Sequence, residues 1–183
     1  MKKSLIAFAL LAALPMAAFA GESDLNYTYV EGGYVNLDGQ ADGAYLRGSA
    51  NLGQSNFYLF GEAARVEVRH TDFDANLGEV GAGYHHALGA RTDLLGELAY
   101  DRVHTDFGNS DGYRASAGVR HAFAPRFNGL AKVNYRDYEN VDGDFSLTLG
   151  GEYKFNDRWS VAAEAEAGER HYEQYRVGVR YNF

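Results

Sequence analysis

The sequence predicts an all-β fold: a transmembrane, antiparallel, up-and-down β-barrel of about ten strands, with eight as the alternative. Three observations support this prediction. Alternating apolar and polar residues recur along the chain, turn signals separate them at regular distances, and the composition is rich in Tyr (14), Phe (11) and Gly (22) with only 2 Pro. Beyond the first twenty residues, no apolar stretch is long enough for a transmembrane helix. A soluble β-sandwich shares this composition but does not predict an apolar outer belt around a charged interior.

The first twenty residues have the three parts of a secretory signal peptide. Lys2 and Lys3 precede an apolar run from 5 to 14, and Ala18 and Ala20 form an A-x-A cleavage site before Gly21. The apolar run is shorter than the roughly 20 residues that span a bilayer as a helix. We therefore expect residues 1–20 to be a removable leader and residues 21–183 to form the barrel.

The chain is acidic and contains no cysteine. It has 17 Lys and Arg against 25 Asp and Glu, and because the leader holds two lysines and no acid, the net charge of −8 becomes −10 after cleavage. An acidic surface argues against a nucleic-acid partner. Without Cys the chain has neither disulfides nor thiolate ligands. No metal motif or phosphate-binding loop is present, so no metal and no cofactor are predicted.

The C-terminal strand has the clearest alternation. Tyr175, Val177, Val179, Tyr181 and Phe183 alternate with polar residues and glycine, and a period of two indicates a strand with one apolar face. An aromatic residue at the end of such a strand resembles the signal that the barrel-assembly machinery reads in outer-membrane proteins. The expected partners are therefore that machinery, outer-membrane lipid and lipopolysaccharide.

Turn signals divide the remaining chain into strands. Segments 83–88, 118–123 and 150–155 repeat the pattern of the last strand, and each ends at a short turn. Connections 38–43, 69–75, 104–112, 139–144 and 169–172 are longer and acidic, which is typical of cell-surface loops. Gly32 and Gly33 suggest a bulge in the first strand, and the change from Leu59 to Val66 suggests a register slip in the third. The predicted strands are 25–36, 44–53, 56–68, 77–88, 93–103, 113–123, 127–138, 145–155, 159–168 and 173–183.

The alternation assigns side chains to the two faces of the barrel wall once the last strand is used as the reference. The predicted lipid-facing side chains, in addition to the five apolar residues of the last strand, are Val80, Tyr84, Leu88, Leu94, Leu98, Tyr100, Tyr113, Val119, Phe123, Phe145, Leu147, Leu149, Tyr153, Phe155, Trp159, Val161, Ala163 and Ala165. The predicted lumen charges are Arg47, Glu62, Glu79, Glu97, Asp101, Arg114, Arg120, Lys132, Arg136, Glu152, Lys154, Glu164, Glu166, Arg176 and Arg180.

Acids and bases occur in comparable numbers on the predicted lumen face. A barrel of about ten strands is narrow, and long Arg and Glu side chains that pair across it fill much of the interior. The sequence therefore favours a non-enzymatic envelope protein with a salt-bridge plug. A narrow conducting channel is the alternative.

A surface hydrolase is a further alternative. Asp101, His104 and Asp106, with His70 and Asp72 on another loop, combine acids and bases that could activate water, as in ten-stranded outer-membrane proteases. Such pairs also arise freely in acidic loops that bind divalent cations or stay solvated. His85 and His86 do not form a metal pair, because adjacent strand residues point to opposite faces.

The N-terminal part has the most distinctive amino-acid sequence in the chain. It contains the leader Lys2-Lys3-Ser4-Leu5-Ile6-Ala7, the predicted mature start Gly21-Glu22-Ser23, and the segment 29–35, Tyr-Val-Glu-Gly-Gly-Tyr-Val. With these features the chain resembles a family of small outer-membrane barrels of xanthomonad bacteria, once described as the activator of a plant immune receptor and as a quorum factor. The resemblance implies an outer-membrane location, a signalling role and no defined active site.

We predict that the mature protein begins at Gly21 and fractionates with the outer membrane, because the leader and the terminal Phe183 both direct it there. Mass spectrometry of the envelope fraction measures the mature N-terminus. Recovery of a protein that retains Lys2 and Lys3, or recovery from the soluble periplasm, would contradict the prediction.

Overall fold

The computed structural model describes residues 25–69, 73–105, 108–139, 141–169 and 173–183. The predicted signal peptide and the predicted loop residues His70, Asp72 and Asp106 lie outside these residues. No helix in the described part of the chain is long and apolar enough to cross a membrane.

The chain forms a closed barrel of ten antiparallel strands, which confirms the predicted fold class and the larger of the two predicted strand numbers. Each strand pairs with its neighbours in sequence, and β1 pairs with β10 over nine residues to close the wall. Closure leaves no unpaired edge, as a barrel in lipid requires. The strands are β1 Tyr29–Leu37, β2 Ala41–Asn51, β3 Phe57–Val68, β4 Asp74–Gly89, β5 Thr92–Thr105, β6 Gly108–Ala124, β7 Phe127–Tyr138, β8 Val141–Lys154, β9 Trp159–Gly168 and β10 Glu173–Asn182.

The predicted bulge in β1 and the predicted register slip in β3 are wrong, because both strands pair without interruption. Gly33 lies opposite Gly178 across the closing seam, and a Cβ atom on Gly33 would lie 2.1 Å from the carbonyl oxygen of Val177. A Cβ atom on Gly178 would lie 2.4 Å from the hydroxyl oxygen of Tyr45. These glycines therefore permit close approach rather than a bulge.

Near the C-terminal end of β3, the apolar side chains face the barrel interior, and the register of the strand does not change. Val66 is buried with Val35, Tyr45 and Ala64, and Leu77 packs against this group. Because the strand alternates regularly, an apolar residue on the inner face looks like a change of register when only the sequence is read.

The strand ladders extend further than predicted at the end of the barrel opposite to the termini, which we call the loop end. Thr105 pairs with Gly108, so most of the predicted loop 104–112 belongs to β5 and β6. Exposed ion pairs on the outer face accompany these extensions: Arg102 contacts Asp111 at 2.7 Å and Arg69 contacts Asp42 at 2.7 Å. Cross-strand pairs of opposite charge stabilise a ladder in water. The first and last described residues, Leu25 and Phe183, lie at the other end, the terminal end, as an even strand number requires.

The outer surface of the wall is an apolar belt. Leu147, Leu149 and Val179 are each about half exposed although they are aliphatic. Aromatic pairs lie toward both ends of the wall, such as Tyr135 with Phe145 at the loop end and Trp159 with Tyr181 at the terminal end. The ring centre of Tyr181 lies 5.0 Å from that of Trp159 and 5.0 Å from that of Phe183. Exposure of this much apolar surface around a closed wall is favourable only in a bilayer.

We predict that Val179→Arg lowers the free energy of unfolding by about 2–4 kcal/mol, because it places a charge on the lipid-facing side of the wall. Val179→Leu is the matched control and should change stability little. Urea titration of the lipid-reconstituted protein, followed by fluorescence of the one Trp, measures both. Equal stability of the two variants would contradict the assignment of this face to lipid.

Candidate functional site

The charged lumen is the candidate site. The structure places the predicted lumen charges on the inward-facing side of their strands, and most of them are buried or nearly so. Most of their ion pairs join strands that are not neighbours: Arg47 on β2 contacts Glu164 on β9 at 2.9 Å, and Arg176 on β10 contacts Glu62 on β3 at 3.3 Å. The side chains therefore bridge the interior rather than line it.

The ion pairs that Arg and Lys side chains form in the lumen, among the described residues, fall into four groups. The terminal group is Arg120, Arg180, Glu31 and Glu152. The first middle group is Arg47, Arg176, Glu62 and Glu164. The second middle group is Arg114, Lys132, Glu79 and Glu97. The loop-end group, which we call the Arg136 triad, is Asp101, Arg136 and Glu166.

The terminal group is the most completely hydrogen-bonded. Arg180 contacts Glu31 at 2.6 Å and Glu152 at 3.6 Å, and its guanidinium carbon lies 3.8 Å from the centre of the Tyr29 ring. Tyr45 donates a hydrogen bond of 2.6 Å to Glu31. Buried charges are tolerated when every partner is in place, as they are here.

Glu152 is the acceptor that joins β6, β7 and β9 to the terminal group. Arg120 and Asn128 both donate to its Oε2 atom, at 2.8 and 3.0 Å. Ser160 donates to Oε1 at 2.8 Å. The two oxygens of one carboxylate therefore hold together three strands at this depth.

The segment that precedes β1 enters the lumen at the terminal end. The predicted first strand began at residue 25, but residues 25–28 lie outside the ladder and fold inward, with Tyr27 only 4% exposed. Tyr27 donates a hydrogen bond of 2.7 Å to Asp93 and stacks on His85 at 4.3 Å between ring centres. Arg120 bonds the backbone carbonyl of Asn26 at 2.7 Å. This segment narrows the lumen on the terminal side of the terminal group.

Glu31, Asp93 and His85 also face the lumen but were missing from the predicted lumen charges. The prediction left out Glu31 because Gly32 and Gly33 indicated a bulge. In the structure the odd-numbered positions, which include Tyr27 and Tyr29, continue to face inward at Glu31. Asp93 shares its parity with Glu97 and Asp101, which could have identified it. His85 faces inward and its neighbour His86 faces outward, as alternation requires.

Lys154 lies on the inner side of β8 near its end, half-buried, and has no ion pair among the described residues. The residues predicted to face lipid lie on the outer side. Tyr153, Phe155, Trp159, Val177, Val179 and Phe183 are exposed, and Tyr181 is half-buried between its aromatic neighbours.

The hydrolase hypothesis is wrong for the pair that the structure describes. Asp101 is buried in the lumen beside Arg136, whereas His104 is exposed on the outer side of the same strand and contacts Asn109. The barrel wall separates the two side chains, so they cannot act on one water molecule. Among the described residues, no group of three or more His, Asp or Glu is arranged to hold a metal ion.

Two cavities lie within the part of the barrel that the structure describes. A cavity of about 90 Å³ lies among the terminal and middle groups, and a second of about 390 Å³ lies at the loop end. The first holds about three water molecules at liquid density.

Comparison with solved structures finds other membrane barrels at low sequence identity. The chain aligns with the KdgM porin at a TM-score of 0.54 and 17% identity, covering 85% of this chain and 99% of that one. It aligns with the NanC porin at 0.53 and 12%, covering 85% and 100%, and with the translocator domain of the autotransporter NalP from Neisseria meningitidis at 0.54 and 11%, covering 97% and 95%. These similarities support the fold.

No family model and no curated protein matches the chain, so the resemblance to the xanthomonad family stays a prediction. The closed ten-stranded wall with its apolar exterior places the protein in the outer membrane.

We predict that Arg180→Met lowers the free energy of unfolding by about 3–5 kcal/mol, because it leaves Glu31 and Glu152 buried with an unpaired charge. The substitution Glu31→Gln in the same chain should recover part of the loss. Arg126→Met, at an exposed turn, is the control and should change stability by less than about 0.5 kcal/mol. Urea titration in lipid measures all three, and equal effects of the Arg180 and Arg126 variants would contradict the prediction.

Proposed function

We propose that the protein is a non-enzymatic outer-membrane β-barrel whose lumen is held closed by the four groups of ion pairs. The observation that carries this proposal is that most of the pairs join non-neighbouring strands and that they do so at successive depths, from Arg180 and Glu152 near the terminal end to Arg136 near the loop end. The interior is thus occupied by paired side chains. A ten-stranded wall filled in this way resists collapse and blocks solutes.

The outer rim supports the proposed partners at the cell surface. Arg65 pairs with Asp74, Arg69 with Asp42 and Arg102 with Asp111, all on the outer side of the loop end. Guanidinium groups at that height meet the phosphates of lipopolysaccharide, and bidentate Arg–phosphate contacts are favourable. At the opposite end, Phe183 is 74% exposed and accessible to the assembly machinery.

A narrow, porin-like channel is the second candidate. Its support is that the interior is lined throughout by charged and polar groups, and that the fold is shared with two proteins named porins, KdgM and NanC. One KdgM structure is a complex with disordered oligogalacturonate. An anionic saccharide is a poor solute for the present lumen, because the described lumen acids, with Glu31 and Asp93, outnumber the lumen bases.

The signalling role implied by the resemblance to the xanthomonad family is not part of this proposal. The described residues offer an exterior of apolar belt and paired rim charges, and no feature of them favours a receptor-binding surface.

Planar-bilayer recordings test the closed lumen. We expect no steady conductance from the wild-type protein, and stepwise conductance from the fourfold variant Arg47→Ala, Glu62→Ala, Glu164→Ala and Arg176→Ala, which removes one neutral middle group. Because two charges of each sign are lost together, no unpaired charge remains in that group.

Heat-modifiable gel mobility first shows that the fourfold variant is folded. Steady conductance of the wild-type protein would favour the channel instead of the closed barrel. A folded but silent fourfold variant would show that this group does not close the lumen.

A further inference from the structure

The loop-end cavity has two chemically different surfaces. Leu37, Leu77, Val103 and Tyr138 form its apolar wall, and the buried cluster around Val35 and Val66 backs that wall. Its charged floor comprises the acids Glu62, Glu79, Asp101 and Asp144 and the bases Arg102, Arg136 and Arg176. At about 390 Å³ the cavity falls within the lower range of sites that bind small molecules, which are mostly apolar with a few convergent polar groups.

Among the described residues, the charged floor has one more acid than it has bases. The terminal group and both middle groups each contain two acids and two bases, whereas the Arg136 triad has a single base for two acids. Arg136 lies 3.3 Å from Asp101 and 3.3 Å from Glu166, so the guanidinium is shared between them. Ser146 donates a hydrogen bond of 2.6 Å to Glu166, which compensates that acid further.

Asp101 is the acid that this sharing leaves least satisfied. Its side chain is 9% exposed, and its hydrogen-bond partner among the described side chains is another acid, Glu79. On the β4–β5 ladder it lies directly opposite Glu79, and like charges in that position destabilise a ladder. A buried carboxylate in this state gains most from a ligand that brings both a positive charge and N–H donors.

We propose that the loop-end cavity binds a small amphiphilic organic cation, with its ammonium group on Asp101 and its apolar part against Leu77 and Val103. An ammonium supplies the missing charge of the Arg136 triad and up to three donors. A carboxylate ligand would add a third acid to the triad. A bare divalent ion would leave the apolar wall unused, and the described acids form no metal-binding group of three.

Binding of three six-carbon probes tests the site: n-hexylammonium, hexanoate and hexan-1-ol, titrated by saturation-transfer-difference NMR onto the protein in lipid nanodiscs. We expect hexylammonium to bind the wild-type protein about tenfold or more tightly than it binds Asp101→Asn, since one charge-assisted contact is lost. Hexanoate and hexan-1-ol should bind both proteins equally weakly. Asp137→Asn, an outward-facing Asp on β7, is the matched control and should bind like the wild type.

A second variant reports on the apolar wall. In Leu77→Asn, the gain in affinity from n-butylammonium to n-hexylammonium should become smaller than in the wild type, because the added methylenes no longer meet an apolar surface. Asp101→Asn should fold, because its loss leaves Arg136 with Glu166 as a complete pair, and heat-modifiable mobility checks this.

Equal binding of hexylammonium by the wild type and Asp101→Asn would overturn the proposal, as would tighter binding of hexanoate than of hexylammonium. Displacement of hexylammonium by Mg²⁺, dependent on Asp101, would identify a metal site and overturn it as well. None of these outcomes depends on whether the lumen conducts, so this inference and the proposed function fail separately.

Discussion

Backbone hydrogen bonding in a medium without water is the constraint on which this structure depends. Every strand must find two partners, and the last can do so only by pairing with the first, as β10 does with β1 from Tyr29 opposite Asn182 to Leu37 opposite Gln174. The seam is tight enough that Gly33 and Gly178 meet without side chains between them. Once the wall is closed, successive side chains of each strand point alternately to the lipid and to the lumen. The apolar belt and the charged interior both result from this alternation.

The lumen charges are therefore a consequence of closure as well as a candidate site. A small barrel has an interior that side chains must fill, and long paired side chains such as Arg47 and Glu164 can reach each other across two intervening strands. A buried ion pair is weak evidence for stability when it is compared with an apolar pair of the same volume. Removal of only one member of a buried pair is costly, because the other charge is left unpaired. Groups such as Arg180 with Glu31 and Glu152 therefore fix a single arrangement of the interior.

The sequence predicted the fold class, the strand number and the face of most side chains, because a period of two needs only the local pattern. It could not predict which charges meet. The partner of Arg176 is Glu62, three strands away, and that contact depends on the tilt and stagger of the closed wall. Exceptions to alternating polarity were misread for the same reason. Val66 is apolar and faces inward, and Tyr27 precedes the ladder and folds into the lumen, so neither follows the rule that apolar residues face lipid.

The charges that close the lumen and the charges proposed to bind a ligand lie at different depths of the barrel. The three groups nearer the terminal end are each electrically balanced, and Tyr45 and Tyr58 add hydroxyl donors to Glu31 and Glu97. A balanced, hydrogen-bonded interior gains nothing from a further ion and has little room for one. At the loop end the balance fails by one charge, and the free volume is several times larger. Filling alone does not explain a second acid in the group that adjoins the larger cavity, because Gln in place of Glu166 would fill the same space without a charge to compensate.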